Sequence, residues 1–182
     1  FFQYSLKWDA IDVVLPWRYF VGESLQNGFL PLWNPYQQLG YPIYADLQYP
    51  FWYPEQIITG FFFGYSNYTL HVLFILYLSF AGYGMYLLTR FFTKENKSAI
   101  IAGIAYLLSG FFVSHTQSFT LIIAAVWVPY VIYFYLKLIT KYRLTDLLKL
   151  SVFSFLILSG GYPAITMILA YLILLFFIFR LL

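Results

Sequence analysis

At 182 residues the chain is 62% hydrophobic and only 9% charged, with a mean hydropathy of +0.75, a balance that excludes an ordinary soluble domain. Its net charge of +3 falls largely in connectors between apolar runs, so it speaks of topology and not of a nucleic-acid surface. There is no cysteine, hence no disulfide framework and no thiolate metal site.

The first 67 residues differ from the rest: they hold six of the eight prolines, four of the five tryptophans and five of the seven acids. Ile11–Leu25 has the apolar periodicity of an amphipathic helix, with Trp17, Phe20 and Val21 near one side. Asn27-Gly28 stops it, because both residues tolerate positive φ at a helix end. From Pro31 to Pro54, prolines at 31, 35, 42, 50 and 54 forbid a long regular element, each fixing φ and removing an N–H. The Trp, Tyr and Leu content argues against disorder. An ordered extracytoplasmic cap on the membrane surface is expected, with a short helix starting at Pro54-Glu55 and interrupted by Gly60 and Gly64.

Four runs follow, Thr69–Thr89, Ser98–Ser114, Phe119–Leu138 and Ala164–Phe179, each close to the ~20 residues needed to cross the hydrocarbon. A fifth, Leu147–Ser159, is shorter. The expected fold is all-α: a polytopic transmembrane bundle of about five membrane helices over residues 68–182, in one domain with the proline- and aromatic-rich loop 1–67. Gly82, Gly84, Gly103 and Gly110 predict close helix packing. Arg90, Lys94, Lys97, Lys137, Lys141, Arg143, Lys149 and Arg180, eight of the ten basic residues, lie in connectors that alternation puts on one side. The positive-inside rule makes that side the cytoplasm. Everything before Tyr68, with the turns His115–Ser118 and Gly160–Pro163, then faces outward. The chain opens on Phe1-Phe2 and stops inside an apolar run, so it is expected to be a piece of a longer protein, truncated at both ends.

Chemistry is sought on the outer face. Asp9 and Asp12 stand three apart, which on a helix puts both carboxylates on one face. With Arg18 they suit activation of a hydroxyl and retention of a phosphate, since a carboxylate takes a proton and a guanidinium fork matches phosphate oxygens. The alternative is an acidic helix start favoured by the dipole, with the arginine at the headgroups. Asp46, among Tyr44, Leu47 and Tyr49, is either a second functional acid or an acceptor of backbone N–H groups in a turn. Glu55 is assigned to helix-dipole pairing. Trp33 and Asn34 either meet a sugar ring or anchor the loop to the membrane. His115 either contacts a phosphate or donor sugar or caps the helix end, whereas His71 is given no role. Tyr162, in a chain-breaking Gly-Gly-Tyr-Pro turn, either sits over the same outer cavity as a substrate contact or belongs to a tight inter-helix turn only. No nucleophile elbow or phosphate-binding glycine loop occurs.

The run Asp9…Pro16-Trp17-Arg18…Gly28…Pro31-Leu32-Trp33-Asn34-Pro35…Gly40-Tyr41-Pro42…Gln48…Tyr53-Pro54 resembles the first extracytoplasmic loop of the YfhO-type bacterial membrane proteins, themselves similar to GT-C class glycosyltransferases. The resemblance covers essentially the whole chain, though the later helices match only in pattern. It implies a multi-pass enzyme of the bacterial cytoplasmic (inner) membrane, working at the extracytoplasmic face. There a sugar would pass from a polyprenyl-phosphate donor to a glycan, lipid or protein acceptor. Asp9 matches the family's acidic position best as general base, with Asp12 the near alternative and Arg18 the candidate for the phosphate. Neither acid pair forms Asp-x-Asp, so metal coordination in that style is unsupported. A divalent cation, if one is used, would fall to Asp9 and Asp46. The rival readings are a transporter or flippase-like component and a non-catalytic scaffold of envelope assembly. Spans almost free of charge, with acids clustered outside, favour surface chemistry over transport.

Overall fold

A computed structural model describes residue 6 and residues 8–181. Helix begins at Ala10, where Ala10–Val14 form a single π turn that runs unbroken into α1 (Leu15–Gln26). Pro16 has no N–H to give, and the Leu15 N–H donates five residues back to the Ala10 carbonyl, the wide spacing of a π turn. The helix stops as expected: the Asn27 N–H closes on Glu23, and Gly28 takes φ +80°. Val21 packs with Ile43, Tyr49 and Phe51, flanked by Trp17, Phe20 and Leu25. The apolar side legible in the sequence is thus the side that holds the proline-rich loop.

That loop carries only short elements. β1 (Trp33–Asn34) and β2 (Tyr41–Pro42) pair antiparallel, with Trp33 opposite Pro42, and a single 3-10 turn follows at Ile43–Ala45. Next comes α2 (Pro54–Phe62), with Pro54 at its first position, where a missing N–H costs nothing. Helices α1 and α2 cross at two glycines; a Cβ on Gly60 would stand 3.2 Å from the Gly22 Cα. This close approach lets side chains of α1 and α2 meet beneath the cap.

The rest is helical: α3 (Asn67–Thr93), α4 (Asn96–Leu107), α5 (Gly110–Ser114), α6 (Phe119–Thr140), α7 (Leu144–Ser159) and α8 (Pro163–Leu181). Ser66 caps α3 by accepting the Thr69 N–H at 3.2 Å. Four stretches are long and apolar enough to cross a membrane: Asn67–Thr93, Asn96–Ser114, Phe119–Thr140 and Pro163–Arg180. Helix α7, with 16 residues, spans ~24 Å and falls short of the ~30 Å hydrocarbon core. Among the described residues four stretches therefore meet the length requirement, one of them, Asn96–Ser114, made of α4 and α5 together. The run Ser98–Ser114 is not one helix, since Leu108 and Ser109 break it before Gly110.

Helix α6 lies at the centre of the bundle: 72% of its apolar window is buried, against 28%, 17% and 6% for the other three candidate spans. Its Pro129 deprives the Ala125 carbonyl of a helical donor. The Tyr106 hydroxyl supplies one at 3.1 Å. The predicted glycine packing is present between α3 and α4, where a Cβ on Gly103 would lie 2.7 Å from the Gly82 carbonyl oxygen, but not at Gly110, where a Cβ would meet nothing within 4 Å. The fold class is all-α, as the sequence leads one to expect.

Candidate functional site at the junction of the cap and the bundle

Three segments far apart in sequence meet at one end of the helices: the π turn, the loop around Gln48, and the entries to α6 and α8. The α7–α8 turn fits closely against the loop. Gly161 has φ +82°, and a Cβ there would stand 2.8 Å from the Gln48 carbonyl oxygen, so conformation and space both require glycine. The meeting leaves a half-open cavity of about 480 Å³ whose polar lining is Asp9, itself exposed, Trp17, Gln48, Gln117, Ser118, Thr120 and Tyr162. Val13, Val14 and Phe119 supply apolar wall. Ser118 is the cap residue of α6 yet makes no side-chain cap bond. The start of that helix borders the cavity, with Ser118, Phe119 and Thr120 in its lining, so the positive end of the helix dipole lies beside it.

Behind Phe119 lies the most unusual feature of the molecule. Arg18 is fully buried, with its guanidinium carbon 4.8 Å from the centre of the Phe119 ring and 5.3 Å from that of Tyr65. Its Nη1 donates to both Glu55 carboxylate oxygens, at 3.0 and 2.9 Å. Tyr65 donates to Glu55 Oε1 at 2.8 Å and Tyr77 to Oε2 at 3.0 Å. Burial, the largest single influence, opposes the charge on Arg18; Glu55 together with the surrounding Tyr65, Tyr77 and Tyr49 outweighs it and holds the guanidinium pKa above its ordinary value. Burial pushes the Tyr65 and Tyr49 phenols well up, so both stay neutral donors. The Arg18 Nε and Nη2 atoms are buried with no hydrogen-bond partner among the described residues.

The neighbouring Tyr53 accepts the Trp127 indole N–H at 2.9 Å, tying the cap to α6. Burial raises the Tyr53 phenol from 10.0 to about 12. A raised folded pKa contributes stability that is complete below the unfolded value and is lost as pH rises through the folded one. The thermal midpoint should therefore hold up to pH 10 and fall between pH 10 and about 12. Tyr53→Phe should make that fall shallower, as read by melting curves in detergent across the alkaline range.

The residues singled out from the sequence are placed as follows. Asp9 and Tyr162 line the same cavity. Asp12 is exposed on the π turn and is not among the lining residues. Arg18 is enclosed as described. Asp46 accepts the Gln48 N–H at 2.8 Å through Oδ1, the turn role weighed for it, and so braces a lining residue. Asn34 is buried and accepts the Tyr36 N–H at 3.0 Å; Trp33 is 57% exposed on the loop surface. His115 turns back on its own helix, its Nδ1 2.9 Å from the Phe111 carbonyl and 3.0 Å from the Ser114 hydroxyl. It is not among the lining residues. No group of three His, Cys, Asp or Glu among the described residues could hold a metal ion, which leaves Asp9 and Asp46 without a third ligand of those types.

Sequence reasoning assigned Glu55 to a helix dipole; it is the carboxylate that receives Arg18. Its partners stand 37, 10 and 22 residues away, so no local spacing signals the cluster. Gln117 and Ser118 were legible only as a turn. No protein-family model matches the chain, and neither a curated protein nor a solved structure does.

Proposed function

We propose that the protein is a glycosyltransferase of the bacterial cytoplasmic membrane, moving a sugar from a polyprenyl-phosphate donor to a glycan, lipid or protein acceptor on the outer face. The observation that carries this reading is the Asp9 carboxylate in a polar-lined cavity at one end of helices apolar enough to cross a membrane. Asp9 takes the proton of the acceptor hydroxyl as its oxygen attacks the anomeric carbon. The bond from that carbon to the phosphate oxygen breaks, and polyprenyl phosphate leaves with the electron pair. The uncapped first turn of α6 supplies N–H donors and a positive dipole for the leaving phosphate. Arg18, its charge balanced by Glu55 behind Phe119, braces that wall of the cavity and does not reach the phosphate. The test is release of polyprenyl phosphate from a polyprenyl-phosphate sugar by the full-length protein in membranes. Absence of release with every donor sugar tried would defeat the assignment.

The orientation can be checked separately. Cysteine placed at Asn96 or Tyr142, both exposed beside basic residues, should resist a membrane-impermeant thiol reagent in intact cells. Cysteine at Asn27, exposed at the other end, or at the partly exposed Thr116 or Ser159 should be labelled. The opposite pattern would turn Asp9 towards the cytoplasm and remove the outer-face chemistry with it.

A further inference from the structure

At the end of the bundle away from Asp9, helices α3, α6 and α7 leave a groove of about 440 Å³ lined by Tyr83, Leu87, Tyr130, Phe134, Val152 and Phe153, with Lys149 also on its wall. We propose that this groove holds one acyl chain of an anionic phospholipid, whose phosphate is bound by Lys149. The inference is independent of the sugar-transfer reading.

The floor of the groove is flat and aromatic. Phe153 stacks on Tyr130 with centroids 4.5 Å apart and lies nearly parallel to Phe134 at 5.5 Å. The Tyr130 hydroxyl is already engaged, donating to the Phe80 carbonyl at 2.8 Å, so the surface it offers is its ring. No acid lines the groove. Tyr83 and Val152 are open to the side, where a hydrocarbon chain could lie against them without displacing packed side chains.

Charge decides between a neutral and an anionic lipid. The Lys149 ammonium sits 5.6 Å from the centre of the Phe134 ring, at the mouth of the groove. The carboxylate nearest in sequence, Asp146, is bound by Lys137 at 3.0 Å, and no described carboxylate pairs with Lys149. Lys141 and Arg143 are exposed on the adjoining connector. A zwitterionic headgroup would bring as much positive as negative charge to this basic rim, whereas an anionic one supplies the missing counter-charge. The apolar stem of Lys149 can lie along the groove while its ammonium reaches the headgroup level.

The test uses the full-length protein in detergent and native mass spectrometry with dioleoyl phosphatidylglycerol or dioleoyl phosphatidylcholine as the probe. One basic contact at the surface predicts that phosphatidylglycerol is retained about five-fold more strongly. Lys149→Ala should erase that preference with the melting temperature unchanged, and Lys149→Arg should keep it. Val152→Trp, which fills the groove, should reduce retention of both lipids. Equal retention of the two lipids overturns the proposal, as does a preference that survives Lys149→Ala. An equal loss in Lys94→Ala would show general surface charge, not this site, and also overturns it. Unchanged retention in Val152→Trp would reject the acyl-chain half of the assignment.

Discussion

Glu55→Ala should lower the stability of the folded protein by about 3–5 kcal/mol, among the largest effects any single substitution will have here. It strands the buried Arg18 guanidinium and removes the acceptor of Tyr65 and Tyr77. Arg18→Ala should cost a similar amount by leaving a half-buried carboxylate without its cation. The double replacement Arg18→Met with Glu55→Leu should recover much of the loss, because the desolvation of both charges disappears with them. Tyr65→Phe and Tyr77→Phe should each cost about 1.5–3 kcal/mol, the range for hydrogen bonds to a charged group. Denaturant titration in mixed micelles would measure all of these. Single variants that melt with the wild type would show that the pair is solvated in the working protein and that the cap is held by apolar packing alone.

The second large effect is chemical. Asp9→Asn keeps the shape of the cavity and removes the proton acceptor, so release of polyprenyl phosphate should fall by about 10²–10⁴-fold while donor binding persists. Asp12→Asn should leave turnover nearly intact, since Asp12 does not line the cavity. If Asp12→Asn stops turnover and Asp9→Asn does not, the base moves by one helical turn and the cavity loses its role. Full activity in both single variants and in the double one would make the N-terminal acids structural and end the enzyme assignment. Arg18→Lys tests whether that position acts in folding or in turnover. It retains a charge behind Phe119 but shifts it from the position where Nη1 donates to both Glu55 oxygens and loses the flat face over the Phe119 and Tyr65 rings. Stability should therefore drop more than the rate of the remaining folded enzyme.

What the sequence determines by itself is what depends on neighbours along the chain. Apolar runs of membrane length, the stop at Asn27-Gly28, the Pro54 helix start and the short elements between Pro31 and Pro54 follow from backbone rules acting over a few residues. The glycines at 82 and 103 announce close packing because only small residues permit it. Even so, Leu108–Ser109 interrupts a run that hydropathy alone leaves whole, because an apolar count is blind to backbone breaks. The site was legible in part: Asp9 and Tyr162 could be named as outward-facing polar residues, but not the wall they share. That wall exists because Gly161 lets the α7–α8 turn rest on the Gln48 carbonyl and because the uncapped start of α6 lies beside the π turn. The fate of Arg18 was likewise decided only by tertiary structure. A free arginine near a membrane has a phosphate as its natural partner, yet the crossing of α1 and α2 at Gly22 and Gly60 brings Glu55 to it first. Once both charges are buried, their attraction is weakly screened, and the pair joins the cap while Tyr65 and Tyr77 complete the carboxylate's hydrogen bonds.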